Sequence, residues 1–434
     1  MSRQINRRRF LKSSALAGTG AWIAGTCALV HSRAPNEKLN IGIIGVHSRG
    51  AANMASVSGE NIVALCDVDA GFLAEAAQKH PQAKTYRDWR KLLLQKDVDA
   101  VTVSTAEHTH ALASVMAMKC GKHVYCEKPL AHSVHEARVM RETYRQTKVA
   151  TQMGTQIHAT ENYRRVVELV RCGAIGPVRE AHVWVEQGIE GPRSRPDESA
   201  PVPANLDWDL WLGPAPWRPY HPCYFKQRSM SWQNWWDFGN GALGDMGSHL
   251  IDLPFWALEL QAPATIEAQG PQSPRAETYP DCLKVRWEHP ARGKRPPLAL
   301  TWYDGPQRPP SPPGVDLTKW HLGIMFQGDK GILLANYAHW MLLPEDDFRG
   351  FVPTKPSIAP SVGHHQEWIQ ACKTGSPTLC NFEYSGSLVE HNLLGTVAFR
   401  AGKKLAWDPQ NLKVSNCAEA NQFLRRAYRP GWTL

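Results

Sequence analysis

The chain has 434 residues, of which 43% are hydrophobic and 21% charged, and its formal charge is +9. That length and mixture exclude a disordered or coiled-coil chain and leave room for two globular domains of about 100–200 residues each. No segment interleaves a basic run with aromatic residues, so the positive charge does not point to a nucleic-acid partner.

The charge is concentrated at the start. Residues 1–34 carry Arg3, Arg7, Arg8, Arg9, Lys12 and Arg33 and no acid, followed by an Ala/Gly-rich apolar stretch. The run Arg7-Arg8-Arg9-Phe10-Leu11-Lys12 resembles a twin-arginine export signal, which implies the twin-arginine machinery as a partner and a periplasmic or otherwise exported product. A membrane anchor is the alternative, but Gly18, Thr19, Gly20, Gly25 and Thr26 dilute an apolar stretch already short of the roughly 20 residues a span needs. Cleavage after Ala34 removes six positive charges and lowers +9 to +3. It also leaves nine cysteines without a CxxC pair, which argues against structural zinc and a dense disulfide framework. One bridge, Cys372 to Cys380, stays open.

"KLNIGIIGV" reads as a buried parallel strand and "AANMASVSG" as a helix, so "GVHSRG" is the turn between them. In a dinucleotide-binding turn the first glycine allows the tight bend, the second admits the pyrophosphate and the third packs helix on strand. Gly45 and Gly50 fill the first and third roles, while His47 replaces the second, with Ser48 and Arg49 beside it. The next strand, "NIVALCDVD", delivers Asp67 22 residues after Gly45. An acid there suits a ribose 2′-hydroxyl and repels a 2′-phosphate, so NAD is expected over NADP. As a turn or cap aspartate it would have no such role.

Strands and helices keep alternating through "DVDAVTVSTAEHTH", "ALASVMAMKCG" and "KHVYCEKPL", as a doubly wound parallel sheet requires. Ligands of such sheets bind beyond the carboxyl ends of the strands. Thr105, His108, His110, Glu127 and Lys128 therefore fall near the nicotinamide half of a cofactor. His108 and His110 form an HxH pair, but no further ligands follow on successive strands, so no metal is expected.

From residue 156 the pattern changes. "REAHVWVEQG" alternates, with Ala181, Val183 and Val185 on one face and His182, Trp184 and Glu186 on the other, as in a strand packed on one side. "ATIEAQG", "DCLKVRWEHP", "PLALTWYDG" and "HLGIMFQG" read alike, giving a large, open, mainly antiparallel sheet. Between them, "ALGDMGSHLIDLPFWALE" places Asp245, His249, Asp252 and Trp256 on one face of an expected helix. An aspartate four residues before a histidine suits acid/base work, and an N-capping acid beside a core histidine is the other reading. Seven of the 17 tryptophans lie between Trp208 and Trp256. Most are expected in the core, with Trp232 and Trp235 facing a sugar. Gln156 and Tyr163 open the second domain near the cleft and are further substrate candidates.

The series "GIIGVHSRG", "ALCDVD", "STAEHTHA", "CGKHVYCEKPLA" resembles the Gfo/Idh/MocA family of glucose-fructose oxidoreductases and inositol dehydrogenases, with "EKP" as its most specific motif. The resemblance implies a Rossmann domain (residues 35–155) followed by an α+β domain with a mainly antiparallel sheet (156–434). It also implies catalysis by Lys128, Asp245 and His249. Here His47, Ala106 and Gln156 depart from residues common in the family. The expected function is hydride transfer between a tightly bound NAD and a carbinol carbon of a sugar, cyclitol or glycoside, with homo-oligomerisation through the open sheet. The alternatives are an NAD-dependent glycosidase that oxidises, eliminates and re-reduces, and a non-catalytic sugar-binding protein.

Overall fold

The computed structural model describes residues 37–187, 194–225, 231–271, 277–353 and 355–434. The expected export segment, residues 1–34, lies outside the described residues. Among the described residues no helix is long and apolar enough to cross a membrane.

Six short runs of β-branched and small residues form the first sheet: β1 Asn40–Ile44, β2 Asn61–Cys66, β3 Lys84–Tyr86, β4 Ala100–Val103, β5 His123–Cys126 and β6 Thr151–Met153. All pair in parallel, in the order β3-β2-β1-β4-β5-β6. Parallel neighbours need crossovers, supplied by α1 Arg49–Ser56, α2 Ala70–Lys79, α3 Trp89–Leu93, α4 Glu107–Lys119 and α5 Val134–Thr147. Strand order reverses between β1 and β4, and this opens the crevice in which a Rossmann sheet takes its ligand.

After α6 Glu161–Arg171 the chain builds a nine-stranded sheet, ordered β13-β12-β11-β7-β10-β9-β8-β14-β15. Its strands are β7 Val178–Val185, β8 Thr265–Gln269, β9 Lys284–His289, β10 Leu298–Asp304, β11 Leu322–Gly328, β12 Gly331–Ala335, β13 Trp340–Leu343, β14 Leu405–Asp408 and β15 Lys413–Val414. Only the central β7–β10 pair is parallel. The outer face of β7 is less open than the alternation implied. Trp184 is completely buried beneath residues 317–320, and its Nε1 donates to the Trp320 carbonyl at 2.9 Å.

The expected helix after residue 240 is three short pieces, following α7 Trp208–Leu212: α8 Gly241–Asp245, α9 Gly247–Leu250 and α10 Asp252–Ala257. Pro254 sits in the first turn of α10, where its missing N–H costs nothing. Then α11 His364–Thr374 and α12 Phe382–Ala401 return to the first sheet. The 20-residue α12 is buried on most of its surface, including the polar Glu390, His391, Asn392 and Thr396. Asn381 caps it by accepting from the N–H groups of Glu383 and Tyr384. It carries one continuous core from Val103 and Met153 to Val285, Trp287 and Trp302. Each buried tryptophan there contributes roughly 4–6 kcal/mol of hydrophobic stabilisation.

Cys372 and Cys380 are free, separate buried thiols in α11 and before α12, so no bridge joins them.

Candidate active site

The turn after β1 is shaped by two glycines. Gly45 has φ +85°, and a Cβ on it would lie 2.4 Å from the Ser104 carbonyl oxygen. A Cβ on Gly50 would lie 2.0 Å from the Gly45 carbonyl oxygen. Neither position has room for a side chain, and the bare backbone leads into the N-terminus of α1. His47 leaves this cradle open because its exposed ring points away and stacks on Phe72, with centroids 3.7 Å apart and 5° between planes. Ser48 follows at φ +52°, and Arg49 opens α1 with an exposed side chain. Asp67, at the end of β2, accepts from the N–H groups of Val46 and Asp69, each at 3.0 Å. Burial raises its pKa. Both carboxylate oxygens keep lone pairs for a ribose hydroxyl, so cradle, helix terminus and acid fit a dinucleotide.

At the carboxyl end of β5, Glu127 is 4% exposed. It accepts from Asn53 Nδ2 and Gln156 Nε2, both at 2.9 Å, and burial raises its pKa. A Cβ on Gly154 would lie 2.6 Å from this carboxylate. Asn53 also reaches Ser104 Oγ and His365 Nε2, tying α1, β4 and α11 to the strand end.

The next residue, Lys128, forms an ion pair with Asp245 at the end of α8. Burial alone would lower the Lys128 pKa and raise that of Asp245, but their mutual attraction reverses both. Gln187 Nε2 approaches the same aspartate at 3.4 Å. His249, on α9, has its pKa lowered to about 3 by burial and the Lys128 charge. The imidazole is therefore neutral at pH 7, with Nδ1 buried and without a hydrogen-bond partner. Asp245 was expected to orient His249. The structure instead pairs that aspartate with Lys128, and His249 feels its charge without a hydrogen bond to it.

Several other expected residues lie elsewhere. His108 is fully buried, packs on Trp211 and Phe238, and bonds the Trp211 carbonyl through Nε2 at 2.9 Å. His110 bridges the carbonyls of Pro129 and Thr105 at 2.8 and 2.9 Å. Both are internal braces of the strand-end loops rather than cofactor contacts. Thr105 Oγ1 meets Thr109 Oγ1 at 2.6 Å. Tyr163 is fully buried, and its hydroxyl donates to the His249 carbonyl at 3.2 Å, so it supports the backbone of His249 instead of touching substrate. Trp235 is 2% exposed and packs on Tyr224, while Trp232 lies against the same cluster. Asp252 is fully buried against His158 at 2.8 Å and Tyr384 at 2.6 Å, and Trp256 stacks on His158.

Sequence reading missed Glu107, Gln187 and Tyr337. Glu107 stands between the conspicuous histidines of "STAEHTH". It is 2% exposed, Asn240 faces its carboxyl, and its Oε2 has no partner. Burial first, and then Asp245, pushes its pKa well above the carboxylate range. The Tyr337 ring stands edge-on to His249. Among the described residues no group of three or more histidine, cysteine, aspartate or glutamate side chains is arranged around a metal position.

The fold and this turn define an NAD-binding Rossmann domain coupled to a mixed-sheet domain. Residues 39–155 match the family model of the Gfo/Idh/MocA oxidoreductases, NAD-binding Rossmann fold, and residues 191–280 match that of their C-terminal alpha/beta domain. Together with the curated relatives, these matches support the Gfo/Idh/MocA family for this chain. The chain is 34% identical to inositol 2-dehydrogenase of Salmonella typhimurium over 147 residues, covering 33% of this chain and 43% of the relative. It is 33% identical to a glycosyl hydrolase family 109 protein of Solibacter usitatus over 200 residues, covering 40% and 44%. These matches span less than half the length of either relative. The WlbA dehydrogenase of Bordetella pertussis, solved with NADH and UDP-GlcNAcA, superposes with a TM-score of 0.61 at 16% identity, covering 86% of this chain and 98% of that one.

Proposed function

We propose that the protein is an exported oxidoreductase that transfers hydride between a retained NAD and a carbinol carbon of a sugar, cyclitol or glycoside. The observation that carries this reading is the buried Lys128–Asp245 ion pair beside a neutral His249, placed where β5 leaves the Rossmann sheet. Gly45, Gly50, the first turn of α1 and Asp67 would hold the cofactor. NAD, when bound, supplies the hydride acceptor. With Nδ1 of His249 buried, Nε2 is the nitrogen that takes the hydroxyl proton. Lys128 Nζ donates to the substrate oxygen, and Asp245 keeps that ammonium charged and aimed. Residues 35–155 serve as the cofactor domain and 156–434 as the substrate domain, with assembly of copies through the large sheet. Export by the twin-arginine route would carry the folded protein with NAD already inside, which suits a cofactor recycled within one turnover.

The similarity to family 109 glycosidases favours one second reading, in which the same oxidation is followed by elimination, hydration and re-reduction without net redox change. Denaturing the purified protein and identifying the released ligand by ultraviolet spectrum and mass is the first test. Stoichiometric NAD is expected, and a protein that neither carries nor binds NAD refutes both readings. Product analysis with a glycoside panel then separates them, as a keto-sugar marks the oxidoreductase and a free aglycone with unchanged cofactor marks the glycosidase.

A further inference from the structure

Two segments, each continuous with one member of the Lys128–Asp245 pair, meet a few residues away from it in the chain. His132 lies four residues beyond Lys128, and Asn240 immediately precedes α8, which ends in Asp245. They are joined, since Asn240 Nδ2 donates to the His132 carbonyl at 3.0 Å. His132 and Asn240 line a cavity of about 250 Å³ together with Trp236, Arg400, Arg425 and Arg426. Lys128, Asp245 and His249 do not line it.

The lining has more positive charge than its own acids balance. Asp237, its one carboxylate, is paired with Arg218. Arg426 is paired with Glu136 at 2.8 Å, yet its Nη1 is buried without a partner. Arg400 and Arg425 form no ion pair among the described residues. Arg400 instead lies over the rings of Trp236 and Phe423, at 5.3 and 4.3 Å from their centroids. His132 is 8% exposed, and neither ring nitrogen makes a complete hydrogen bond, although the Trp236 backbone faces the ring. Buried polar groups are ordinarily paired, so unpaired ones around a cavity mark the place of a missing partner. Guanidinium forks match carboxylate and phosphate oxygens, and the aromatic faces suit a ring or short carbon body.

We propose that this cavity is a second ligand site, for a small organic anion bearing a carboxylate or phosphate, separate from the Lys128–Asp245–His249 centre. The anion sits between Arg400 and Arg425, accepts from Arg426 Nη1 and bonds His132. Through His132 and Asn240 the site touches the two segments that set the distance between Lys128 and Asp245.

Calorimetric titration of the purified full-length protein with D-glucuronate and with inorganic phosphate tests this. Saturable binding of at least one probe is expected, weakened about tenfold by Arg400→Gln and by Arg425→Gln and unchanged by His249→Ala. Binding of glucuronate alone identifies a carboxylate ligand with a sugar-like body, and binding of phosphate alone identifies a phosphate ester. Arg425 is exposed, so Arg425→Gln leaves the fold intact even if loss of the stacked Arg400 does not. Absence of saturable binding of either probe overturns the proposal. So does binding insensitive to both arginine variants, and so does binding lost in His249→Ala, which would move the site to the active centre. None of these outcomes depends on whether NAD is bound.

Discussion

Replacing Asp245 with asparagine leaves the Lys128 ammonium facing a neutral amide. The two side chains are only 14% and 9% exposed, so water cannot substitute for the lost carboxylate. Removing one partner of a buried ion pair costs about 3–5 kcal/mol, and because an asparagine oxygen still accepts one hydrogen bond we expect about 3 kcal/mol. Urea denaturation of Asp245→Asn against the parent protein at pH 7 measures it. The double variant Lys128→Met/Asp245→Leu should recover most of the loss, because it removes the stranded charge together with its partner. The pH dependence has a defined sign. The pKa of Asp245 is depressed in the folded protein, so its contribution is complete above the ordinary aspartate value of about 3.9 and is lost as pH falls through the depressed value. The pKa of Lys128 is raised, so its contribution is complete below about 10.4 and is lost as pH rises through the raised value. The gap between variant and parent should therefore stay flat from pH 5 to 9 and close at both extremes. A loss at pH 7 below about 0.5 kcal/mol, the size of an ordinary surface substitution, refutes the buried pair.

Three further outcomes follow from the same geometry. The pKa of His108 falls to about 3 in the folded protein through burial, so its stabilising contribution is present above about 6.5 and is lost as pH drops. Between pH 7 and 5 this one histidine should cost about 2 kcal/mol, and His108→Asn should remove close to one proton from the uptake on unfolding; unchanged uptake would contradict its burial. Gly50→Ala drives a methyl to 2.0 Å from the Gly45 carbonyl oxygen and should cost about 3 kcal/mol and abolish NAD binding, whereas a variant that purifies with NAD sinks the cradle. Asp67→Ala should weaken NAD about tenfold or more by calorimetry and erase its preference over NADP; an unchanged preference would reduce Asp67 to a turn cap.

The Rossmann sheet was legible because its signals are local. Period and composition separate "NIVALC" from "ALASVMAMKCG", and the demand of a tight turn for Gly45 and Gly50 is written in the residues themselves. Lys128 was legible for a similar reason, since it stands at a strand end beside a proline. His108 and His110 misled because a histidine in a strand-end loop has the same signature whether it meets a ligand or a backbone carbonyl. Trp235 and Tyr163 misled because an aromatic residue near a cleft in sequence can still be consumed by the core.

From the sequence alone came the alternation of strands and helices in the first half, the expectation of a mainly antiparallel sheet in the second, and the three polar residues of the candidate centre. Only the tertiary structure decided which of those residues meet. Asp245 hydrogen-bonds Lys128, 117 positions away, and not His249, four away, because the fold brings the end of β5 against the end of α8. Burial, which raises the pKa of Glu107 and lowers that of His249, arises from elements distant in the chain closing over them, and no short window of sequence contains that information.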